Sequence, residues 1–185
     1  LYANMVFQTK KMTAATSEEC VALANADLDH IAKGVYALCE SQEEVLQQTV
    51  NFNINVARKQ MSDTGACVLG PDTVSWEAKN QFSKEPKTLS LPKFSLGSTW
   101  LGQNADAKTP SPVVDLVREL VGGTCTIFQR MNPEGDMLRV CTNVQTADGK
   151  RAIGTFIPKM QPDGTENATV KAILEGKPFR GRAFV

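Results

Sequence analysis

The sequence is short of histidine, of aromatic side chains and of net charge. His30 is the one histidine in 185 residues, and Phe, Trp and Tyr together make up 6%. A Ser–His or Cys–His nucleophilic site would have to use that single imidazole, which sits beside an apolar stripe on an expected helix. No other acid–base constellation stands out, so the expectation is a non-enzymatic protein. Asp27 with His30 offers two metal ligands, too few for a zinc site. The five cysteines, Cys20, Cys39, Cys67, Cys125 and Cys141, form no CxxC pair. That excludes zinc-ribbon spacings and the CxxCH attachment of covalent haem, and no cofactor is expected. Twenty basic and twenty acidic side chains cancel, which argues against a nucleic-acid partner. No run approaches the roughly 18 apolar residues of a membrane span, and no signal peptide is expected in this stretch. The opening LYANMVFQ, followed by Lys10 and Lys11, reads either as the tail of a membrane helix or as a frayed soluble end.

What the chain does have is organisation. Ala24, Leu28, Ile31, Val35, Leu38, Gln42, Val45, Thr49, Phe52 and Val56 advance by steps of three and four, a heptad stripe with two polar interruptions. The expected helix runs from about Ser17, capped there with Glu18 and Glu19 in its first turn, to Ser62, where SDTG ends it. A break near Ser41 is an alternative, because CESQEE can recap a second helix. Unbroken, the helix would be roughly 65 Å long, so part of it must project, pair with a second chain or reach toward a membrane. The expected division is a helical region over 1–64 and a small α+β domain over 65–185. The helix region is acidic: from Glu18 to Asp63 there are eight acidic and three basic residues. From Arg118 onward there are ten basic and seven acidic, a slight bias toward anions.

Beyond Gly65 the pattern becomes short β-prone runs punctuated by Pro and Gly: ACVLG, DTVSWEAKN with Val74, Trp76 and Ala78 alternating, and KTLSLPKFSLG. A loop, TWLGQNADAKTPSP, leads into the short amphipathic helix PVVDLVRELVGG, with Pro112 in its first turn and glycine at its end. The strands TCTIFQRM, MLRVCTNV and RAIGTFIP follow, then the helix NATVKAILEGK and a final strand PFRGRAFV. Tight turns between strands predict an α+β fold, an antiparallel sheet flanked by helices, with the last strands expected beyond this segment.

Candidate binding residues come from polar groups inside these strands. Leu138, Val140, Thr142 and Val144 share one face by alternation, and Met137, Arg139, Cys141 and Asn143 share the other. Arg139 and Asn143, roughly 13 Å apart at 3.3 Å per residue, would grip opposite ends of a small ligand, Arg139 supplying a fork for a carboxylate. The plain alternative is a solvated arginine. Gln129 and Arg130 on the other arm of the hairpin need partners too: a ligand carboxylate, or Glu134 and Asp136 in the turn. In TWLGQN, Trp100 would cover apolar surface as a lid while Gln103 and Asn104 bond a polar end; a core tryptophan in a structural turn is the alternative. Arg182, sharing a strand face with Arg180, would join the anion site or face solvent. Cys125 and Cys141 would bridge only with a three-residue turn, whereas NPEGD suits a longer one.

The segments GSTWLGQN, PSPVVDLVRELVGGTCTIFQRMNPEGDMLRVCTNV, DGKRAIGTFIP and GKPFRGRAFV, in that order, resemble the extracytoplasmic sensor region of bacterial methyl-accepting chemotaxis proteins, of the type in which Cache 3 and Cache 2 subtypes are fused. The resemblance covers about Ala15 to Val185 and is most specific from Trp100 to Val144. It implies a PAS-like antiparallel sheet on a long N-terminal helix, a periplasmic location, a membrane-anchored parent receptor, signal transduction on binding a small-molecule ligand such as an organic acid, and further strands after GRAFV. A homodimer through the long helix would fit the heptad stripe. A histidine-kinase sensor, or a dimerisation and docking domain without a small ligand, are the alternatives.

Overall fold

Helix-favouring residues from Lys10 to Ala15 carry the first element well upstream of Ser17. In the computed structural model, which describes residues 2–182, α1 runs unbroken over Tyr2–Thr64. Ser17 is therefore mid-helix rather than a cap, and Ser41 marks no break. Three threonines that would otherwise favour a turn satisfy themselves on the preceding helical turn: Thr9 Oγ1 donates to Met5 O at 2.8 Å, Thr13 to Thr9 O and Thr16 to Met12 O at 2.9 Å. Among the described residues no helix is long and apolar enough to cross a membrane.

Contacts divide the chain into two units, the first ending at Thr49 and the second beginning at Val50. The first consists of helix alone, and its stripe is bare: Leu28, Ile31, Val35 and Leu38 are all more than half exposed. In the second, Ala57 is buried and Met61 packs on the main core. The last turns of α1 thus belong with the sheet, from Val50 onward. The physical reason is a change in the partner of the helix face, not in the helix itself.

The sheet has six strands in the order β3-β2-β1-β6-β5-β4. They are β1 (Cys67–Asn80), β2 (Pro86–Leu96), β3 (Thr99–Trp100), β4 (Thr126–Arg130), β5 (Met137–Thr142) and β6 (Thr155–Ile157). ACVLG and DTVSWEAKN fuse into the single strand β1, with a register shift between Leu69 and Thr73 around Gly70-Pro71-Asp72. Val74, Trp76 and Ala78 alternate inward as their spacing predicts, Trp76 and Ala78 buried and Val74 partly so. Four of the pairings are antiparallel, but β1 and β6 run parallel, Lys79 opposite Thr155. The sheet is therefore mixed. The hairpin to β5 sets the direction of β6, and the long excursion after β1 permits a parallel neighbour.

Two short helices complete the fold: α2 (Val114–Val121) and α3 (Ala168–Leu174). The expected start of α2 at Pro112 is displaced because Val113 adopts φ 66°, ψ −58° and Val114 N donates to Pro112 O at 2.7 Å, a three-residue turn that helical backbone cannot contain. Gly122 ends α2 in the left-handed region, the position glycine occupies without a Cβ penalty. The main core joins Trp76, Leu91, Leu96, Leu101, Val114, Val117, Leu138 and Val140; a second, smaller core gathers Met137, Ile157 and Val170 with Phe128. The expected final strand fails over Pro178–Arg182, which is irregular, and its remainder, 183–185, lies outside the described residues.

Candidate functional site

Trp100 closes one end of β3, and the chain then turns back over the sheet. Leu101, 2% exposed, plugs into the core and its N–H donates to Phe94 O at 3.1 Å. Trp100 itself stays 43% exposed with Lys93 Nζ 5.4 Å from its ring centroid. Beneath lies a crevice walled by Val74, Trp76, Pro92, Phe94, Gln129 and Val140, too narrow to admit a water. The indole Nε1 of Trp76 is buried with no acceptor among the described residues. Gln129, 5% exposed, uses its Nε2 on Pro92 O at 2.9 Å. A buried N–H without a partner costs roughly 1–3 kcal/mol. An acceptor entering the crevice would recover that.

The candidate residues separate into three groups. Trp100 and Gln129 line the crevice. Gln103, Asn104 and Asn143 hold the structure around it. Gln103 Nε2 donates to Ser75 O at 2.8 Å, tying the loop to β1. Asn104 Nδ2 donates to Thr109 O at 2.8 Å and Ser111 Oγ at 2.9 Å, folding the loop on itself. Asn143 Nδ2 donates to Val114 O at 2.7 Å and its Oδ1 accepts from Cys125 N at 2.8 Å, joining α2 to the hairpin.

The arginines lie elsewhere. Arg130 donates from Nε to Asn132 O at 3.0 Å and from its terminal nitrogen to Pro133 O, so it braces its own turn rather than pairing with Glu134 or Asp136. Arg182 is exposed and not on a strand. Arg139 is 6% exposed, its guanidinium carbon 5.6 Å from the Phe128 ring, and its Nε has no acceptor among the described residues. Burial pulls its pKa below the ordinary guanidinium value.

The expected shared face of Arg139 and Asn143 is absent because of a bulge. Ile127 pairs with Cys141 and Phe128 with Arg139, leaving Val140 as the extra residue. Val140 and Cys141 both enter the main core, while Arg139 joins Phe128 on the side of the second core. The six-residue turn 131–136, longer than the three residues a bridge would need, already takes Cys125 out of register with Cys141; the bulge adds one residue to the offset, and both thiols are free. Burial, reinforced by the neighbouring Cys125, raises the Cys141 thiol to about 11.

Arg151 is the residue the sequence did not flag. Its guanidinium, 6% exposed, donates to Asp115 Oδ1 and Oδ2 at 2.8 Å, Thr142 O at 3.0 Å, Thr109 O at 2.9 Å and Asp106 O at 3.1 Å. It thereby clamps the 105–110 loop, α2 and β5 together. Burial alone would raise the Asp115 pKa, but the bonds from Arg151 and Ser111 N outweigh it and hold the carboxyl below its ordinary value. Only the spacing of Asp115 to a distant arginine could have signalled this, and spacing of that kind carries no pattern.

The loop is thus anchored on one side by Arg151 and latched on the other by Leu101, and it ends in the strained Val113, a β-branched residue in a conformation costing about 1–3 kcal/mol. No curated protein and no solved structure matches the chain. The sequence profile of the Cache 3/Cache 2 fusion domain matches residues 13–185. Domains of that type are extracytoplasmic sensors, generally of small molecules, and a long N-terminal helix carrying a PAS-like sheet is the architecture found here. The chain belongs to the Cache 3/Cache 2 fusion domain family.

Proposed function

We propose that this domain is the periplasmic ligand-binding part of a membrane-anchored chemotaxis receptor, and that a small organic anion enters the crevice beneath Trp100 and Leu101. The observation that carries the reading is the buried Trp76 Nε1–H, without an acceptor among the described residues, on a side chain that lines that crevice. A carboxylate oxygen would accept from it. The crevice is closed, so binding requires the latch at Leu101 to lift. The bound state then differs from the free one in how the loop meets the sheet, which is the differential interaction that signalling needs.

Titration of the 185-residue chain with dicarboxylates, hydroxy acids and amino acids tests this, read by tryptophan emission and thermal shift. Binding that Trp76→Phe weakens at least tenfold, with the far-ultraviolet spectrum unchanged, is the expected outcome. No response from any member of the panel would remove the case for direct sensing.

A second reading rests on the bare stripe. Leu28, Ile31, Val35 and Leu38, 56–63% exposed, form an apolar seam of a/d spacing. We infer that two copies pair along it. Replacing Leu28, Val35 and Leu38 by serine should convert a dimer to a monomer in sedimentation equilibrium; a wild-type monomer at high micromolar concentration would refute the pairing.

A further inference from the structure

We propose a second binding site, separate from the crevice, that takes an organic anion with an apolar body, such as an aromatic or medium-chain carboxylate. It is a groove of about 500 Å³ between the last turns of α1, the outer face of α3 and the segment 176–180. That volume lies within the range of small-molecule sites, roughly 300–1,000 Å³. The groove and the crevice share no lining residue.

Three features fix the class of ligand. Arg58 from α1 and Lys177 and Arg180 from the segment after α3 line the groove, and no acidic residue does. In a chain with zero formal charge, three cations on the walls of one groove, with no carboxylate among its lining residues, favour an anion. Lys177 pairs with Glu175 at 2.9 Å, whereas Arg58 and Arg180 have no acceptor among the described residues, leaving two guanidinium forks for a carboxylate. The walls are apolar: Val50 and Ile54 on one side, Ile173 and Phe179 on the other. An inorganic anion would leave these uncovered, so the ligand needs a hydrocarbon portion.

The helix geometry explains the assembly. Asn51, Asn55 and Arg58 recur at intervals of four and three and share one stripe of α1. Thr169 and Ile173, four apart, present the facing surface of α3.

The experiment uses the 185-residue chain labelled with ¹⁵N and titrated with benzoate, salicylate, octanoate and neutral benzyl alcohol. Saturable shifts of the Asn51 and Asn55 side-chain amides are expected with the three acids. Arg58→Gln combined with Arg180→Gln should weaken them at least tenfold, and Trp76→Phe should leave them unchanged. Benzyl alcohol binding as tightly as benzoate would overturn the proposal. So would equal affinity in the double variant, or shifts confined to Gln103 and Gln129. That last result would place the acids in the crevice and leave the sensing reading intact. Failure of Trp76→Phe to affect crevice binding would count against that reading alone.

Discussion

Replacing Leu101 by alanine should release the lid without unfolding the domain. Burying a leucine contributes roughly 2–3 kcal/mol, and the exposed Lys93–Trp100 contact adds about 0.5–1 kcal/mol. Opening the 99–102 segment therefore costs about 3 kcal/mol, an open fraction near 1% at 1.4 kcal/mol per tenfold. Leu101, 2% exposed, supplies most of this. Its truncation removes about 2 kcal/mol and raises the open fraction roughly 30-fold. The amide of residue 101, bonded to Phe94 O, is the reporter: its hydrogen exchange should accelerate by about that factor while amides of β5 change only by the global loss. The opening should also be insensitive to low urea, because little surface is exposed. Acceleration of less than threefold, or a urea dependence matching global unfolding, would refute the latch. Val114→Ala is the control, a core truncation 0% exposed in the wild type that should destabilise the fold without selective exchange at 101.

Other consequences can be measured separately. Arg151→Met should cost about 3–5 kcal/mol in urea unfolding, since it strands a partly buried carboxylate and four carbonyls; less than 1 kcal/mol would show that the clamp is dispensable. Asp115 has a folded pKa below its unfolded value, so its contribution is present above about pH 4 and is lost as pH falls through the lower folded value. Asp115→Asn should flatten the stability profile in that acid window. Arg139→Met should leave stability unchanged or raise it by about 1–4 kcal/mol, because it removes a buried charge with no acceptor for its Nε; a loss above 1 kcal/mol would reveal a missed partner. A thiol reagent at pH 8 should label Cys20, Cys39 and Cys67, which are exposed, quickly, and Cys125 and Cys141, whose pKa values burial raises, only on unfolding.

The periodic features were legible in the residues. The heptad stripe announced α1, alternation at Val74, Trp76 and Ala78 oriented β1, and glycine at 122 stopped α2. Such signals are local, since each depends on residues within one or two turns or a few pleats. What the sequence could not decide was anything set by a neighbour distant along the chain. One extra residue at Val140 carries Arg139 away from Asn143, because strand register is fixed by the partner strand. Arg151 meets Asp115 across 36 positions, and no local pattern encodes such a meeting. The alternation put Trp76 on one face of β1 with Val74 and Ala78, yet that its buried Nε1 lacks an acceptor among the described residues shows only in the folded chain. Alternation determined which face of β1 is buried; tertiary packing alone decided which buried polar groups lack partners, because a hydrogen bond depends on distance in space rather than on order along the chain.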